Sequence, residues 1–368
     1  MFYIWSASSR GQHKRNITNF IIHFISMKRI LSVAAMAAVM MTVAVSTTYA
    51  RSWRINDNAT KAPHFTSINA ACSSEEVLAG DTLYLDPDMF LTNNQTVSKT
   101  LTIIGPGYFL SDLPYGSATF SGTLTLSAAN TKVEGCVMTG TVGIKAQNVT
   151  IERCKVDGEI YIGMDVINGS NAIIRQSYLR YIHGINDHDN RSSHCIIENC
   201  IFVISSSDVI SSLYYPVIRN NCILYESGSY PFSDISYAQI YNNIIIRKGS
   251  NPNDLFYRVS NSTVTNNVLS CAAGTYSEWP QNTCLGSNNA SLVWALTGAN
   301  DALYQLKDDS PAKGSATDGG DCGAFGGLFP YVLSGHPAGM PYFESTNTPT
   351  RATNGQVKIT QHVKLQTR

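Results

Sequence analysis

Between residues 133 and 269 the chain repeats one short pattern of apolar and polar positions. Seven segments carry it: Val133–Met138 (VEGCVM), Ile151–Val156 (IERCKV), Ile174–Leu179 (IRQSYL), Ile197–Phe202 (IENCIF), Ile218–Ile223 (IRNNCI), Ile240–Ile245 (IYNNII) and Val264–Leu269 (VTNNVL). Each begins with a β-branched apolar residue, carries a small or polar pair at its third and fourth places, and ends apolar. Successive starts lie 18, 23, 23, 21, 22 and 24 residues apart. Helical periodicity of the apolar residues is absent through this stretch.

A period near 22 residues fits a leucine-rich repeat or a β-helix. The first needs Leu at several fixed places per unit, whereas this chain uses Ile, Val, Asn and Ser. β-branched residues suit a pleated, half-buried surface. The motif therefore predicts a strand, a tight turn and a second strand, repeated once per coil. Asn fits the turn because its short side chain tolerates the left-handed backbone region and bonds locally. Coils stacked about 4.8 Å apart would place Asn220, Asn242 and Asn266 in one ladder, with Asn221, Asn243 and Asn267 beside it. Cys136, Cys154 and Cys200 share the fourth place with Ser177, and are expected as small buried fillers. Cys271 and Cys284 are placed to pair within a loop. Cys195 and Cys222 have no assigned role.

On these segments the chain resembles the right-handed parallel β-helix superfamily, also called pectin-lyase-like, and in particular its secreted bacterial members with degenerate repeats. Three further stretches carry the resemblance. Phe65–Ala71 (FTSINAA) followed by Ala79–Leu85 (AGDTLYL) looks like a capping helix, a Gly-Asp turn and a first strand. Lys99–Gly107 (KTLTIIGPG) looks like the second rung. Asp309–Gly314 (DSPAKG) with Asp321–Phe325 (DCGAF) looks like the exit. The resemblance implies an all-β solenoid of about eight or nine rungs. It also implies an N-terminal capping helix near Ser67–Leu78 and a small C-terminal strand or hairpin. Function follows less directly, because the superfamily holds lyases, hydrolases, epimerases and proteins with no known activity.

The N-terminal region reads as a targeting segment. Lys28 and Arg29 precede an apolar run, Ile30 to Val45, and Thr48-Tyr49-Ala50 supplies small residues before a cut. That is the layout of a cleavable secretory signal, and the run is short for a spanning helix. The expected division is 1–26 as an upstream stretch outside the translated protein, 27–50 as signal peptide, 51–329 as β-helix with cap, and 330–368 as linker and β tail. Docking of that tail on the solenoid is the expectation. The product is exported (periplasmic, cell-surface or extracellular) in a Gram-negative bacterium, and monomeric. The whole chain has 26 basic and 26 acidic residues. Arg10, Lys14, Arg15, Lys28 and Arg29 fall before the cut with no acid, leaving 21 basic against 26 acidic residues, a net charge of −5. No basic block remains, which argues against a nucleic-acid partner. No other apolar stretch is long enough to span a bilayer.

In this fold substrates lie along one strand face and its loops. The outward residues of the strands before each motif are read as Lys145, Tyr161, His183, Asp208, Asp234 and Arg258. A one-residue slip would invert that face. The densest polar stretch, residues 181–194, holds His183, Asp187, His188, Asp189, Arg191 and His194. The catalytic candidates are His183, Asp187, His188, Arg191 and Asp208. The substrate-binding candidates are Tyr161, Arg180, Asp189, His194, Tyr214 and Arg258. No metal ligands are assigned. Such a cluster suits proton abstraction beside a uronate carboxylate, with a cation or Ca²⁺ neutralising the acid. A hydrolase would use paired carboxylates instead, Asp187 with Asp189 or with Asp208. The acidic pattern of polygalacturonase-type hydrolases and the calcium-binding aspartates of pectate lyases are both missing. The partner expected is a polysaccharide, and the clustered tyrosines of the middle rungs suit sugar rings. The competing reading is a solvated loop on a rigid, non-catalytic surface or adhesion scaffold, for which Asp, Asn and Ser are ordinary turn residues.

Overall fold

The computed structural model describes residues 50–110, 115–163, 170–185, 194–204, 208–226, 230–249, 251–339, 341–347 and 360–365. The expected upstream segment and signal fall outside these residues. No described helix is long and apolar enough to cross a membrane. The chain is an all-β parallel solenoid, as the repeat predicts, and is consistent with a right-handed parallel β-helix.

The first face is a ten-stranded parallel sheet running from Ser52–Ile55 through Thr82–Leu85 to Thr263–Thr265. The seven motif starts, Val133, Ile151, Ile174, Ile197, Ile218, Ile240 and Val264, stand in register on successive strands of it. All seven are buried. Each such side chain removed from water contributes about 1.5–3 kcal/mol, so the β-branched start of every repeat is the core of the solenoid. After a two-residue corner the chain enters a second face, for example Ile201–Ile204, Cys222–Tyr225 and Ile244–Arg247. It then enters a third face, which includes Leu124–Leu126, Val142–Ile144, Ile210–Ser211 and Phe232–Ser233. Lys155–Ile162 and Tyr178–His183 run unbroken from second to third face, so both faces belong to one sixteen-stranded sheet.

The corner between first and second faces bears out the asparagine reading. Arg153, Gln176, Asn199, Asn220, Asn242 and Asn266 occupy it with φ between 50 and 58°. The next residue points inward and forms the second ladder. Asn243 receives Asn221 N at 3.0 Å and Asn221 Nδ2 at 2.9 Å, and donates Nδ2 to Asn267 Oδ1 and to the Ile218 carbonyl, each at 2.9 Å. Asn221, Asn243 and Asn267 are fully buried. Cys136, Cys154 and Cys200 fill the same column higher up and are buried thiols. All nine cysteines are unpaired, although Cys271 and Cys284 bring their sulfurs to 3.1 Å. Burial pushes the Cys195 and Cys222 thiols up to about 12, which keeps them unreactive.

The C-terminal segment departs from expectation. Residues 310–339 do not simply leave the last coil; they run back along the asparagine corner as a strap. Asn266 Nδ2 donates to the Ser315 carbonyl, Asn242 Oδ1 receives Thr317 N, and Asn199 Nδ2 donates to the Ala324 and Gly326 carbonyls. Gln176 reaches the Pro330 carbonyl, Arg153 the His336 carbonyl at 3.2 Å, and Glu134 receives Ala338 N. The strap passes so close that a Cβ on Gly335 would stand 2.2 Å from the Tyr108 ring. The boundary drawn at residue 329 therefore falls inside the strap, and residues 331–337 are largely buried rather than linker. Upstream of it, Trp294 and Tyr304 join Ile201, Cys222, Ile244 and Val268 in a second apolar core, so the C-terminal region covers the outside of the second face.

The ends behave differently from each other. Ile68–Ser73 is the capping helix, started by Ser67. It sits on Gln95–Val97, an end strand of the larger sheet, where Asn69 Oδ1 receives Thr96 N at 2.8 Å. This satisfies a group on an edge that would otherwise invite association. The C-terminal hairpin pairs Pro341–Asn347 with Thr360–Leu365. All six residues of the second strand are exposed.

Two outcomes follow from this architecture. Asn243→Ala strands the Asn221 amide and the Ile218 carbonyl, and should cost on the order of 3 kcal/mol in urea unfolding. A loss within experimental error would mean that the ladder is incidental to stability. Burial lowers the strap's His336 imidazole from 6.5 to about 4. Its folded value lies below its unfolded one, so stability is intact above pH 6.5 and is lost as pH falls from 6.5 towards 4. His336→Gln should flatten the thermal midpoint across that window.

Candidate functional site

The second face is covered and the first is lined by ion pairs; among the described residues the third face carries the remaining polar file. Its outward file runs Thr125, Gly143, Tyr161, His183, Ser211, Ser233 and Tyr257, in continuous register. The sequence reading thus places Tyr161 and His183 correctly. For the next rungs it slips: Ser211, Ser233 and Tyr257 hold the outward positions, while Asp208 precedes them and Asp234 and Arg258 follow at the turn. The cause is local. Ser212, Asp234 and Arg258 have φ between 52 and 60°, so the strand ends one residue earlier than its polar pattern suggests.

His183 is the centre of the file. Its Nδ1 lies 2.7 Å from Ser211 Oγ, and its ring centroid is 5.6 Å from that of Tyr161 and 6.0 Å from that of Tyr181. Burial holds the imidazole below 6.5, while the charges of Glu159 and Asp208 pull the other way. Asp208 is fixed by Tyr230 N at 3.0 Å and Ser233 Oγ at 2.6 Å. Burial, then the charge and hydrogen bond of Glu159, raise the Tyr161 phenol. Arg180 spreads over the Tyr181 ring at 5.3 Å and donates to the Asp157 carbonyl. Tyr161 and His183 are therefore in ring contact and Asp208 acts on His183 through its charge, while Arg180 is connected to them through the Tyr181 ring. Glu159 and Ser211 join them and were not singled out by sequence reasoning; only their place in the outward register could have revealed them.

Asp187, His188, Asp189 and Arg191 are outside the described residues. His194 does not approach His183. It stands at the corner between the third and first faces, a position held at φ 52–59° by Asn130, Asn148, Asn171, His194, Tyr215, Tyr237 and Asn261. Asn148 Nδ2 bonds Asn130 Oδ1 at 3.1 Å, an exposed amide ladder. Over three rungs rings replace the amides. His194 and Tyr215 stack at 5.2 Å and 11°, and Tyr215 and Tyr237 at 4.9 Å and 25°. Tyr214 packs edge-on against both tyrosines, at 4.6 and 5.0 Å. A non-glycine residue in this backbone region costs about 1–3 kcal/mol, and stacking recovers about 0.5–1.5 kcal/mol per pair. Arg258 pairs with Asp234 at 3.0 Å. Both line a groove of about 210 Å³ with Ile185, Ser212, Leu213, Ser236 and Ser260. Its position between the third face and the aromatic corner is fixed by the four-residue turns 212–215, 234–237 and 258–261.

Among the described residues no group of three His, Cys, Asp or Glu is arranged to hold a metal ion. No protein-family model matches the chain, and no curated protein matches it. Among solved structures it is similar to a mannuronic acid-specific polysaccharide family 6 lyase from human gut microbiota, at 14% identity and a TM-score of 0.35, covering 59% of this chain and 74% of that one. A likeness this distant has no bearing on the chemistry of the site.

The opposing influences on His183 give a direct check. Removing the Glu159 charge in Glu159→Gln should lower the imidazole pKa further below 6.5, read by NMR titration. A value above 6.5 in the parent, or no movement in the variant, contradicts the arrangement.

Proposed function

We propose that this protein is an exported β-helix of the pectin-lyase-like kind that binds polysaccharide along its third face and cleaves a uronate-containing glycan by β-elimination. The observation that carries the reading is geometric: on the outward file of the third face the His183 and Tyr161 rings stand 5.6 Å apart, with Ser211 Oγ 2.7 Å from His183 Nδ1, and the environment moves the imidazole down and the phenol up. Groups whose environments push them apart in this way mark base and acid. In the proposed step Nδ1–H of His183 donates to Ser211 Oγ, leaving Nε2 to accept the proton at C5 of the uronate. The electron pair forms the C4–C5 double bond, the C4–O bond breaks, and Tyr161 gives its proton to the leaving oxygen. Arg180 supplies the charge that stabilises the carboxylate as the C5 proton leaves. Transfer of the proton from His183 to Tyr161 resets the pair.

The test is a panel of alginate, pectate and hyaluronan, followed by the absorbance of the unsaturated uronate product. His183→Gln and Tyr161→Phe should each lower turnover about 100-fold or more, in the range of general acid–base contributions. The acid limb of kcat/KM should fall below pH 6.5, because His183 is the base and must be neutral. Reducing ends without the unsaturated product would indicate hydrolysis by carboxylates. Silence in both would leave the rigid display scaffold as the better reading.

A further inference from the structure

We infer that the corner formed by His194, Tyr215 and Tyr237, with the groove beside it, is a carbohydrate-binding subsite separate from the His183 centre. The proposal rests on the reading of the protein as glycan-directed and names where the chain of sugars is gripped.

Four rungs of the same corner show what the fold alone requires. Asn130, Asn148, Asn171 and Asn261 adopt the same left-handed backbone and are exposed, as expected for the residue that best tolerates it. A histidine and two tyrosines occupy three consecutive rungs between them. Nothing in the turn geometry asks for rings there, and tyrosine is poorly suited to that backbone. Tyr215 and Tyr237 nevertheless keep 41% of their surface in solvent, so a large part of each ring is left outside the fold. Stacking recovers part of the strain and aligns the rings in a file along the corner.

The adjoining groove has matching chemistry. Ser236 and Ser260 present hydroxyls 3.0 Å apart, and Arg258 with Asp234 offers donors and acceptors side by side. Hydroxyls and a compensated ion pair next to aromatic rings recognise polyhydroxylated pyranose rings, whose C–H faces are apolar and whose rims are polar. The file repeats once per rung, so the subsite extends along the solenoid axis and favours a chain of sugars over a single one.

The column itself supplies the test. Tyr215→Asn/Tyr237→Asn installs the residue that the fold uses at the same corner in other rungs, and should fold with an unchanged or higher thermal midpoint. Isothermal titration would use hexamers and dimers of mannuronate, galacturonate and cellobiose units, together with tetranitromethane nitration of the tyrosines. The parent should bind a hexamer at least ten-fold more tightly than its dimer, and that hexamer should protect Tyr215 and Tyr237 from nitration. The double variant should lose the ten-fold preference, while His183→Gln keeps it. Equal hexamer affinity in parent and double variant overturns the subsite and leaves the proposed elimination standing. Binding lost in the double variant, from a parent without turnover, supports the subsite and removes the elimination. A parent that binds no member of the panel overturns the subsite.

Discussion

The constraint on which everything else depends is the two-residue corner between the first and second faces. A coil of this solenoid turns there without room for a loop, so one residue must take the left-handed backbone and the next must point into the interior. The inward residue then brings a polar backbone turn into an apolar core. The asparagine ladder resolves this conflict. Each buried amide offers donors to a carbonyl of the coil above and to the next asparagine, and accepts two donors from its neighbour on the other side. Buried polar groups persist only when they are partnered in this way. Where thiols replace the amides, the partners become the carbonyls of Glu134, Glu152 and Glu198, a weaker bond suited to a small apolar filler.

The left-handed residue of the same corner has a second consequence. Its side chain points outward, where Asn199, Asn242 and Asn266 offer amides and Arg153 a guanidinium. The returning strap uses these groups in order. In the upper rungs Glu134 and Glu152 bind Lys132 at 2.8 Å, and Arg153 bridges Glu134 to the strap. Arg153 and Glu134 are nearly inaccessible, so removing either partner would leave a buried charge. The path of the strap is thus set by one column of turn residues.

This explains what the sequence could and could not disclose. Ladders built from like residues were legible: Ile151, Ile174, Ile197 and Ile218 repeat at one place, and Asn243 has Asn221 and Asn267 as counterparts. The second place of the motif was not, because Glu152, Arg175, Glu198 and Arg219 alternate in sign and look unrelated until strand pairing sets Glu152 beside Arg175 and Glu198 beside Arg219. The strap was invisible for a different reason. Its partners take mostly its backbone carbonyls and amides, so the residues from Ala324 to Pro330 need no periodic side-chain pattern. The site was half legible. Tyr161 and His183 lie on strands long enough to show alternation, whereas Ser211 and Ser233 end two-residue strands, with Asp234 already in the next corner.

A repeating solenoid also offers its own criterion for where function lies. Any position that serves only the fold can be filled by the same residue in every rung, since neighbouring copies are then partners for each other. The interior isoleucines and the corner asparagines follow this rule. The outward file of the third face does not: Gly143, Tyr161, His183 and Ser211 differ from one rung to the next, and only Ser233 repeats its neighbour. At the aromatic corner the rule is obeyed in four rungs and broken in three, at a backbone conformation where tyrosine is the less favourable choice. Departure from self-similarity at an exposed position, where neither a cross-strand ion pair nor the strap accounts for it, points to a cause outside the fold. The groove of Ser212, Asp234, Arg258 and Ser260 lies between these two departures.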